Sequence, residues 1–134
     1  MILVDAGPLV ALISAEDRHH GACTAAVTEI HEAMLTVWPA VTEAMHLLRP
    51  SAQAQEGLWE ILLHGSLQIA GLDADDCARM RHLMRKYRHL PMDLVDAALV
   101  AVAERERISR IFTLERRDFE TYRPSGLRRF EIIP

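Results

Sequence analysis

Two aspartates three residues apart stand at the start of an otherwise apolar segment. They are Asp93 and Asp96, in the stretch PMDLVDAALVAVAER at residues 91–105. Between Leu94 and Ala103 the only polar residue is Asp96. A buried carboxylate without a partner is costly, whereas residues three apart share one face of a helix. The pair therefore indicates either a helix cap or a site that binds a cation.

Further acids lie where short apolar runs end. Asp5 follows the run MILV, and Glu115 and Asp118 follow the run RIFTL. Glu43 lies in AVTEAMHLLR, whose apolar residues have helix spacing. Simpler roles stay open: Asp5 and Asp93 as N-caps of the helices that follow them, and the two acids after RIFTL as partners in surface ion pairs.

Several carboxylates without a matching set of His or Cys residues point to a hard divalent cation. Mg²⁺ and Mn²⁺ prefer oxygen ligands and keep water and phosphate oxygens in their coordination shell. Such an ion polarises a phosphoryl oxygen and lowers the pKa of bound water, which suits phosphodiester hydrolysis. We therefore predict a metal-dependent hydrolase with Asp5 and Asp96 as the primary metal ligands. Whether one or two ions bind stays open.

The alternation of strand and helix patterns predicts how these acids meet. Strands are predicted at MILV, MLTVW, LQIAGL and RIFTL, with RRFEII as a fifth candidate. Segments of helical character lie between them, including residues 19–33, 51–63 and 73–89. This order predicts an α/β fold with a mostly parallel sheet of four to five strands, covered on both faces. Sites in such sheets lie beyond the carboxyl ends of the strands, where the acids fall.

The composition is that of one globular domain, predicted to span residues 1–134. Hydrophobic residues make up 50% and charged residues 25% of the chain. No apolar run approaches the ~18 residues of a membrane span, and the N-terminus lacks a basic signal-peptide region. Cys23 and Cys77 have no metal-binding spacing, which indicates free thiols in a cytoplasmic protein. Trp38 and Trp59 are predicted to be core aromatics.

The charge balance bears on nucleic-acid binding. A net charge of −4 argues weakly against non-specific attraction to nucleic acid. Basic residues in RMRHLMRKYRH and ERERISR are candidates for a local phosphate-binding rim. Solvated helix faces explain the same residues equally well, so both interpretations stay open.

Four motifs together resemble those of the PIN domain in order and spacing. They are ILVDAGPLVAL, VTEAMHLL, LPMDLVDAALVAVAER and FTLERRDF. They look most like the toxin ribonucleases of bacterial type II toxin–antitoxin pairs, the virulence-associated protein C (VapC) class. This resemblance implies a three-layer α/β/α sandwich, Mg²⁺-dependent cleavage of RNA, a homodimer and inhibition by a cognate antitoxin.

The resemblance also assigns the acidic positions of the family to residues of this chain. The first three positions fall on Asp5, Glu43 and Asp96. Asp93 is an extra acid of the MDL variant of the third motif. The fourth position falls on Glu115 or Asp118, because the family often has Asp or Asn where Glu115 stands.

Two other functions stay open. One is a non-catalytic PIN-like module that binds protein. The other is a different metal-dependent phosphoryl hydrolase, such as a phosphatase of the haloacid dehalogenase type. That chemistry needs a second Asp two residues after the first, where this chain has Gly7. Glycine-rich nucleotide-binding loops do not occur.

The acids and the apolar helix surfaces suggest how an antitoxin would inhibit. An arginine of the antitoxin is predicted to enter among the acids, form bidentate bonds and exclude the metal. Apolar surface around LVALISA or AMHLL would form a groove for the rest of the inhibitory tail.

Overall fold

A five-stranded parallel sheet forms the centre of the computed structural model, which describes residues 1–134. Its strands are β1 (Ile2–Val4), β2 (Met34–Val37), β3 (Leu67–Ala70), β4 (Arg110–Phe112) and β5 (Glu131–Ile133). They lie in the order β3-β2-β1-β4-β5, and every neighbouring pair is parallel. The predicted α/β fold is therefore confirmed, and the candidate fifth strand is part of the sheet.

Seven helices flank this sheet and complete an α/β/α sandwich. They are α1 (Ala6–Ile13), α2 (His20–Thr28), α3 (Trp38–Leu47), α4 (Ala52–Leu63), α5 (Ala74–Lys86), α6 (Leu94–Glu106) and α7 (Arg116–Thr121). The short α7 was not predicted. Helix α2 ends at Thr28, so the prediction that it continues to residue 33 was wrong. None of the seven is long and apolar enough to cross a membrane.

Local signals in the sequence explain where the helices near the site begin. Asp5 and Asp93 are the N-caps of α1 and α6, which confirms that role for both. Pro39 occupies the first turn of α3, where its missing N–H costs no hydrogen bond. These residues determine where α1, α3 and α6 begin, and all three helices start beside the carboxyl ends of the strands.

The most deeply buried helix is α6, and it carries Asp96 in its first turn. Every residue from 96 to 103 is buried, which accounts for the apolar run in the sequence. Strands β1 and β4 are also buried, and the buried apolar residues form one continuous cluster. The helix therefore anchors one end of the candidate site in the core, where movement is costly.

The prediction that both tryptophans lie in the core was wrong. Trp38 is 51% exposed at the start of α3, and Trp59 is 43% exposed on α4. Leu63, one turn after Trp59, is 77% exposed. Hydrophobicity alone misplaced these side chains, because helices α3 and α4 each bury only part of their circumference.

Candidate active site

Six acidic side chains line one cavity beside the carboxyl ends of the strands. The cavity has a volume of about 300 Å³. Its acids are those singled out in the sequence: Asp5, Glu43, Asp93, Asp96, Glu115 and Asp118. The other lining residues are Gly7, Leu47 and Pro91, so no basic side chain faces the cavity. We refer to it as the acidic cavity.

Asp5 is held at the end of β1 by two donors. Its Oδ1 accepts a hydrogen bond from the backbone N–H of Ala6 at 2.7 Å. Its Oδ2 accepts one from the Thr113 hydroxyl, also at 2.7 Å. Thr113 lies just after β4, and its Oγ1 accepts the backbone N–H of Glu115 at 3.0 Å. A carboxylate that is only 4% exposed is thus fixed in one orientation between two central strands.

Asp96 is held in the first turn of α6. The Tyr122 hydroxyl donates to its Oδ2 at 2.7 Å, while the backbone N–H of Asp96 donates to Asp93 Oδ1 at 2.9 Å. Tyr122 is buried and packs edge-on against Tyr87 and Phe119. One oxygen of Asp96 therefore has a rigid hydroxyl partner, and the other has no hydrogen-bond donor within the protein.

The remaining acids lie around these two. Glu43 comes from α3, Glu115 precedes α7, and Asp118 lies in the first turn of α7. The alternative that Glu115 and Asp118 form surface ion pairs was wrong, because neither does so. Arg116 is instead close to Glu120. These acids therefore face the cavity without a compensating charge.

Burial and mutual repulsion raise the pKa values of the cavity acids. Burial raises the pKa of Asp5 to about 6, and the charges of Glu43 and Asp93 add to the shift. Burial raises the pKa of Asp96 to about 7, with further contributions from Asp93, Asp5 and Asp118. Partial burial, followed by the charges of its acidic neighbours, also raises the pKa of Glu43. The cavity therefore holds its full negative charge only at a cost in free energy.

The donor atoms of the cavity suit a hard cation. They are carboxylate oxygens, which Mg²⁺ and Mn²⁺ prefer. No group of three or more His, Cys, Asp or Glu side chains could hold a metal ion as it stands. Mg²⁺ commonly binds through only one or two carboxylates and keeps water in its other positions. Asp5 and Asp96 both line the cavity, and the charge of Asp5 helps to raise the pKa of Asp96, so their carboxylates are candidate donors for such a site.

Sequence reasoning missed the two hydroxyl groups that hold these aspartates. Thr113 stands directly after the fourth strand in FTLERRDF, so its position was a usable signal. Tyr122 lies 26 residues after Asp96, and no local pattern connects the two. Only the fold shows that the chain returns from α7 to the first turn of α6.

Comparison with known proteins identifies the family. The PIN domain model matches residues 2–123. The chain belongs to the PIN domain family. Ribonuclease VapC26 of Mycobacterium tuberculosis is 28% identical to it over 135 residues, which cover 99% of this chain and all of that relative.

Solved structures share the fold at lower identity. The crystal structure of VapC20 of M. tuberculosis, a sarcin–ricin loop-cleaving toxin, has a TM-score of 0.76 at 20% identity and matches 83% of this chain and 87% of its own. A toxin–antitoxin complex from Klebsiella pneumoniae has a TM-score of 0.72 at 19% identity, covering 100% of this chain and 97% of its own. VapBC2 from Rickettsia felis, bound to a promoter DNA fragment, scores 0.69 at 15% identity over the whole of both chains. The resemblance to PIN-domain toxins of the VapC class is confirmed.

Proposed function

We propose that this PIN-domain protein is a metal-dependent endoribonuclease and the toxin of a toxin–antitoxin pair. In this proposal it acts in the cytoplasm as a homodimer, with Mg²⁺ as its cofactor and Mn²⁺ as a substitute. The observation that carries the proposal is the convergence of six carboxylates on one cavity without a basic side chain. The name of the relative VapC26, a ribonuclease, supports RNA as the substrate.

The proposed roles follow from how the two buried aspartates are held. Asp5 and Asp96 are the metal ligands, and the bound ion would polarise a phosphoryl oxygen and lower the pKa of a coordinated water. The hydroxyls of Thr113 and Tyr122 fix the two carboxylates, so that neither must reorganise during the reaction. A cation would also favour the ionised form of both acids, against the burial that raises their pKa values.

For the fourth acidic position we propose Asp118. Asp118 is half-buried, and its charge raises the pKa of the Asp96 carboxyl. Glu115 is exposed, and its charge acts on Glu43 instead. Asp118 is therefore better placed to act with Asp96, while Glu43 and Glu115 add to the negative charge of the cavity.

The proposed protein partner is an antitoxin that supplies the missing positive charge. The acidic cavity can accept an arginine side chain, which would compete with the metal. A second cavity, of about 600 Å³, lies between α1 and α4 and includes Ile13, Ala54 and Ile61 in its lining. It lies at the LVALISA surface predicted for an inhibitory tail. The toxin–antitoxin assemblies among the similar structures support this kind of partner.

Cleavage of RNA by the purified protein tests the proposed reaction. We expect cleavage with millimolar Mg²⁺ or Mn²⁺ and none with a chelator. Asp96→Asn should lower the rate by about three orders of magnitude, because the loss of a metal ligand removes several kcal/mol of transition-state stabilisation. The control Asp75→Asn replaces an exposed acid outside the acidic cavity and should cleave normally.

The same assay separates the alternative functions. A folded protein that cleaves no RNA under any metal condition would favour the non-catalytic binding module. Metal-dependent hydrolysis of a small phosphomonoester, without cleavage of RNA, would favour a different phosphoryl hydrolase. Full activity of folded Asp96→Asn would refute the assignment of the metal ligands.

A further inference from the structure

An apolar cavity with a basic rim lies beside α5, apart from the acidic cavity. It has a volume of about 470 Å³. Its lining combines sulfur-containing and aliphatic side chains with guanidinium groups: Cys77, Met80, Met84, Leu94, Arg81, Arg85 and Arg88. No acidic side chain lines it. We refer to it as the α5 cavity.

The three arginines of the α5 cavity are exposed and unpaired. Arg81, Arg85 and Arg88 are spaced by four and three residues, so they follow one face of α5 and the turn after it. None takes part in an ion pair, whereas four other arginines do: Arg79, Arg105, Arg110 and Arg116. In a chain with a net charge of −4, three neighbouring guanidinium groups without partners leave a local positive surface.

Shared lining residues link this surface to the acidic cavity through a third cavity. Leu94 lines both the α5 cavity and a shallow apolar cavity of about 570 Å³ that begins at Trp38. Glu43 lines both that shallow cavity and the acidic cavity. Three adjoining cavities that share lining residues therefore form a path from the arginines, past the exposed Leu94 and Trp38 side chains, to the acids.

We infer that this path binds a single-stranded segment of RNA, with backbone phosphates on Arg81, Arg85 and Arg88 and unpaired bases on Leu94 and Trp38. Guanidinium groups bind phosphate oxygens in bidentate fashion. Exposed aromatic and apolar surface accepts unstacked bases, which a duplex does not offer. The inference deepens the proposed ribonuclease function and rests on it, because it assigns the substrate-binding surface of the same site.

Binding of RNA of randomised sequence, about 12 nucleotides long, tests the arginines without requiring cleavage. The measurement is fluorescence anisotropy of labelled RNA in the Asp96→Asn background. The test variant is Arg85→Gln with Arg88→Gln. The matched control is Arg128→Gln with Arg129→Gln, an exposed and unpaired pair that precedes the amino end of β5 on the opposite edge of the sheet.

The expected changes follow from counterion release. Each lost phosphate contact should reduce the slope of log K against log salt by about 0.7, so the test pair should reduce it by about 1.4. Affinity at about 0.1 M salt should fall roughly 25-fold on the same basis. The control pair should change neither quantity. Equal effects of the two pairs, or no effect of the test pair, would overturn the inference.

Protection of Cys77 from a maleimide provides a second measurement on the unaltered surface. Cys77 is exposed in the α5 cavity, whereas Cys23 is buried and serves as the internal reference. Single-stranded RNA should slow alkylation of Cys77, and an RNA duplex of equal length should protect much less. No protection, or equal protection by the duplex, would refute a single-strand site.

The mass of the variants in solution distinguishes RNA binding from contact with a second copy of the chain. We expect the Arg85→Gln, Arg88→Gln protein to keep the wild-type mass by light scattering. A change to a smaller species together with the loss of RNA affinity would overturn the inference in favour of a subunit interface. If wild-type protein binds RNA here but never cleaves it, the proposed catalytic function fails while the binding surface stands.

Discussion

Two cavities of this molecule each contain several carboxylates, but only one of them also contains basic side chains. The acidic cavity has six carboxylates and no basic side chain. The other cavity, of about 540 Å³, lies between α5 and α6 and has four acids with two arginines: Asp73, Asp75, Asp76, Glu104, Arg79 and Arg105. We refer to it as the ion-pair cavity.

In the ion-pair cavity the chain supplies its own positive charge. Arg105 pairs with the buried Asp76. Arg79 donates two hydrogen bonds to Glu104, at 2.6 and 2.8 Å. Burial alone would raise the pKa of Glu104, but the hydrogen bonds from Arg79 and the backbone N–H of Ser125 hold it below its usual value. These acids join α5 to α6.

In the acidic cavity the positive charge is absent from the chain, and the pKa values of Asp5 and Asp96 rise to about 6 and about 7. Acids with partners in the chain stabilise the fold, whereas clustered acids without partners are strained until a cation binds. The absence of compensating side chains is therefore a stronger indication of a functional site than the number of acids in a cavity.

Neutralising one buried acid in each cavity should change the stability of the protein in opposite directions. Asp96→Asn should remove a buried charge and raise the free energy of unfolding of the metal-free protein by about 1–3 kcal/mol at pH 8, although cleavage is lost. Asp76→Asn should lower it by about 2 kcal/mol, because Arg105 loses its partner, and leave cleavage intact. Urea unfolding of both variants tests the opposite changes in the free energy of unfolding, and an RNA cleavage assay tests the different effects on activity. Two variants that are destabilised equally would show that the cavities do not differ.

The stability of the metal-free protein should depend on pH through Asp5 and Asp96. The native pKa values of Asp5 and Asp96 lie above their ordinary value of 3.8, so the native state binds more protons than the unfolded state between about pH 4 and 7. Stability of the metal-free protein should therefore fall as pH rises through this window. For Asp5 the difference between 3.8 and about 6 corresponds to roughly 3 kcal/mol.

Unfolding midpoints at a series of pH values measure this effect. The variant Asp5→Asn with Asp96→Asn should lose most of the decline, and Asp75→Asn should retain it. Millimolar Mg²⁺ should reduce the decline in the wild type, because a ligand that binds the ionised native state stabilises it. A decline that persists in the double variant would place its origin outside the acidic cavity.

The smallest expected effect comes from the hydroxyl that holds Asp96. Tyr122→Phe keeps the ring packing and removes the 2.7 Å hydrogen bond. The free energy of unfolding should fall by about 1 kcal/mol. The affinity for Mn²⁺ should fall about tenfold, as for other residues that orient a metal ligand. Loss of stability without a change in metal affinity would mean that the Tyr122 hydroxyl stabilises the fold and does not orient a metal ligand.

The fold and the acids were predictable because each left a local signal. Apolar runs gave the strands, and Asp5 and Asp96 drew attention because a charge interrupts or ends an apolar segment. The side chains that complete the site left weaker signals. Thr113 reaches Asp5 because β1 pairs with β4. Tyr122 reaches Asp96 because of the way α7 packs, so both contacts depend on the fold.

The tryptophans show a second limit of the sequence. Trp38 and Trp59 were expected in the core on hydrophobicity alone, and both are exposed. Which face of a helix is buried depends on the elements that pack against it, and neither side chain interrupts the apolar spacing of its helix. Similarly, the end of α2 at Thr28 is not marked by glycine or proline, so the sequence pattern extended that helix too far.

Direct counting of bound metal tests the central claim that the acidic cavity lacks a charge which a cation supplies. Mn²⁺ is titrated into metal-free protein at about pH 8, and the free ion is followed by electron paramagnetic resonance. We expect saturable binding to the wild type and to Asp76→Asn, with loss of that binding when Asp5 and Asp96 are both replaced by Asn. Undetectable binding to the wild type, or undiminished binding to the double Asn variant, would contradict it.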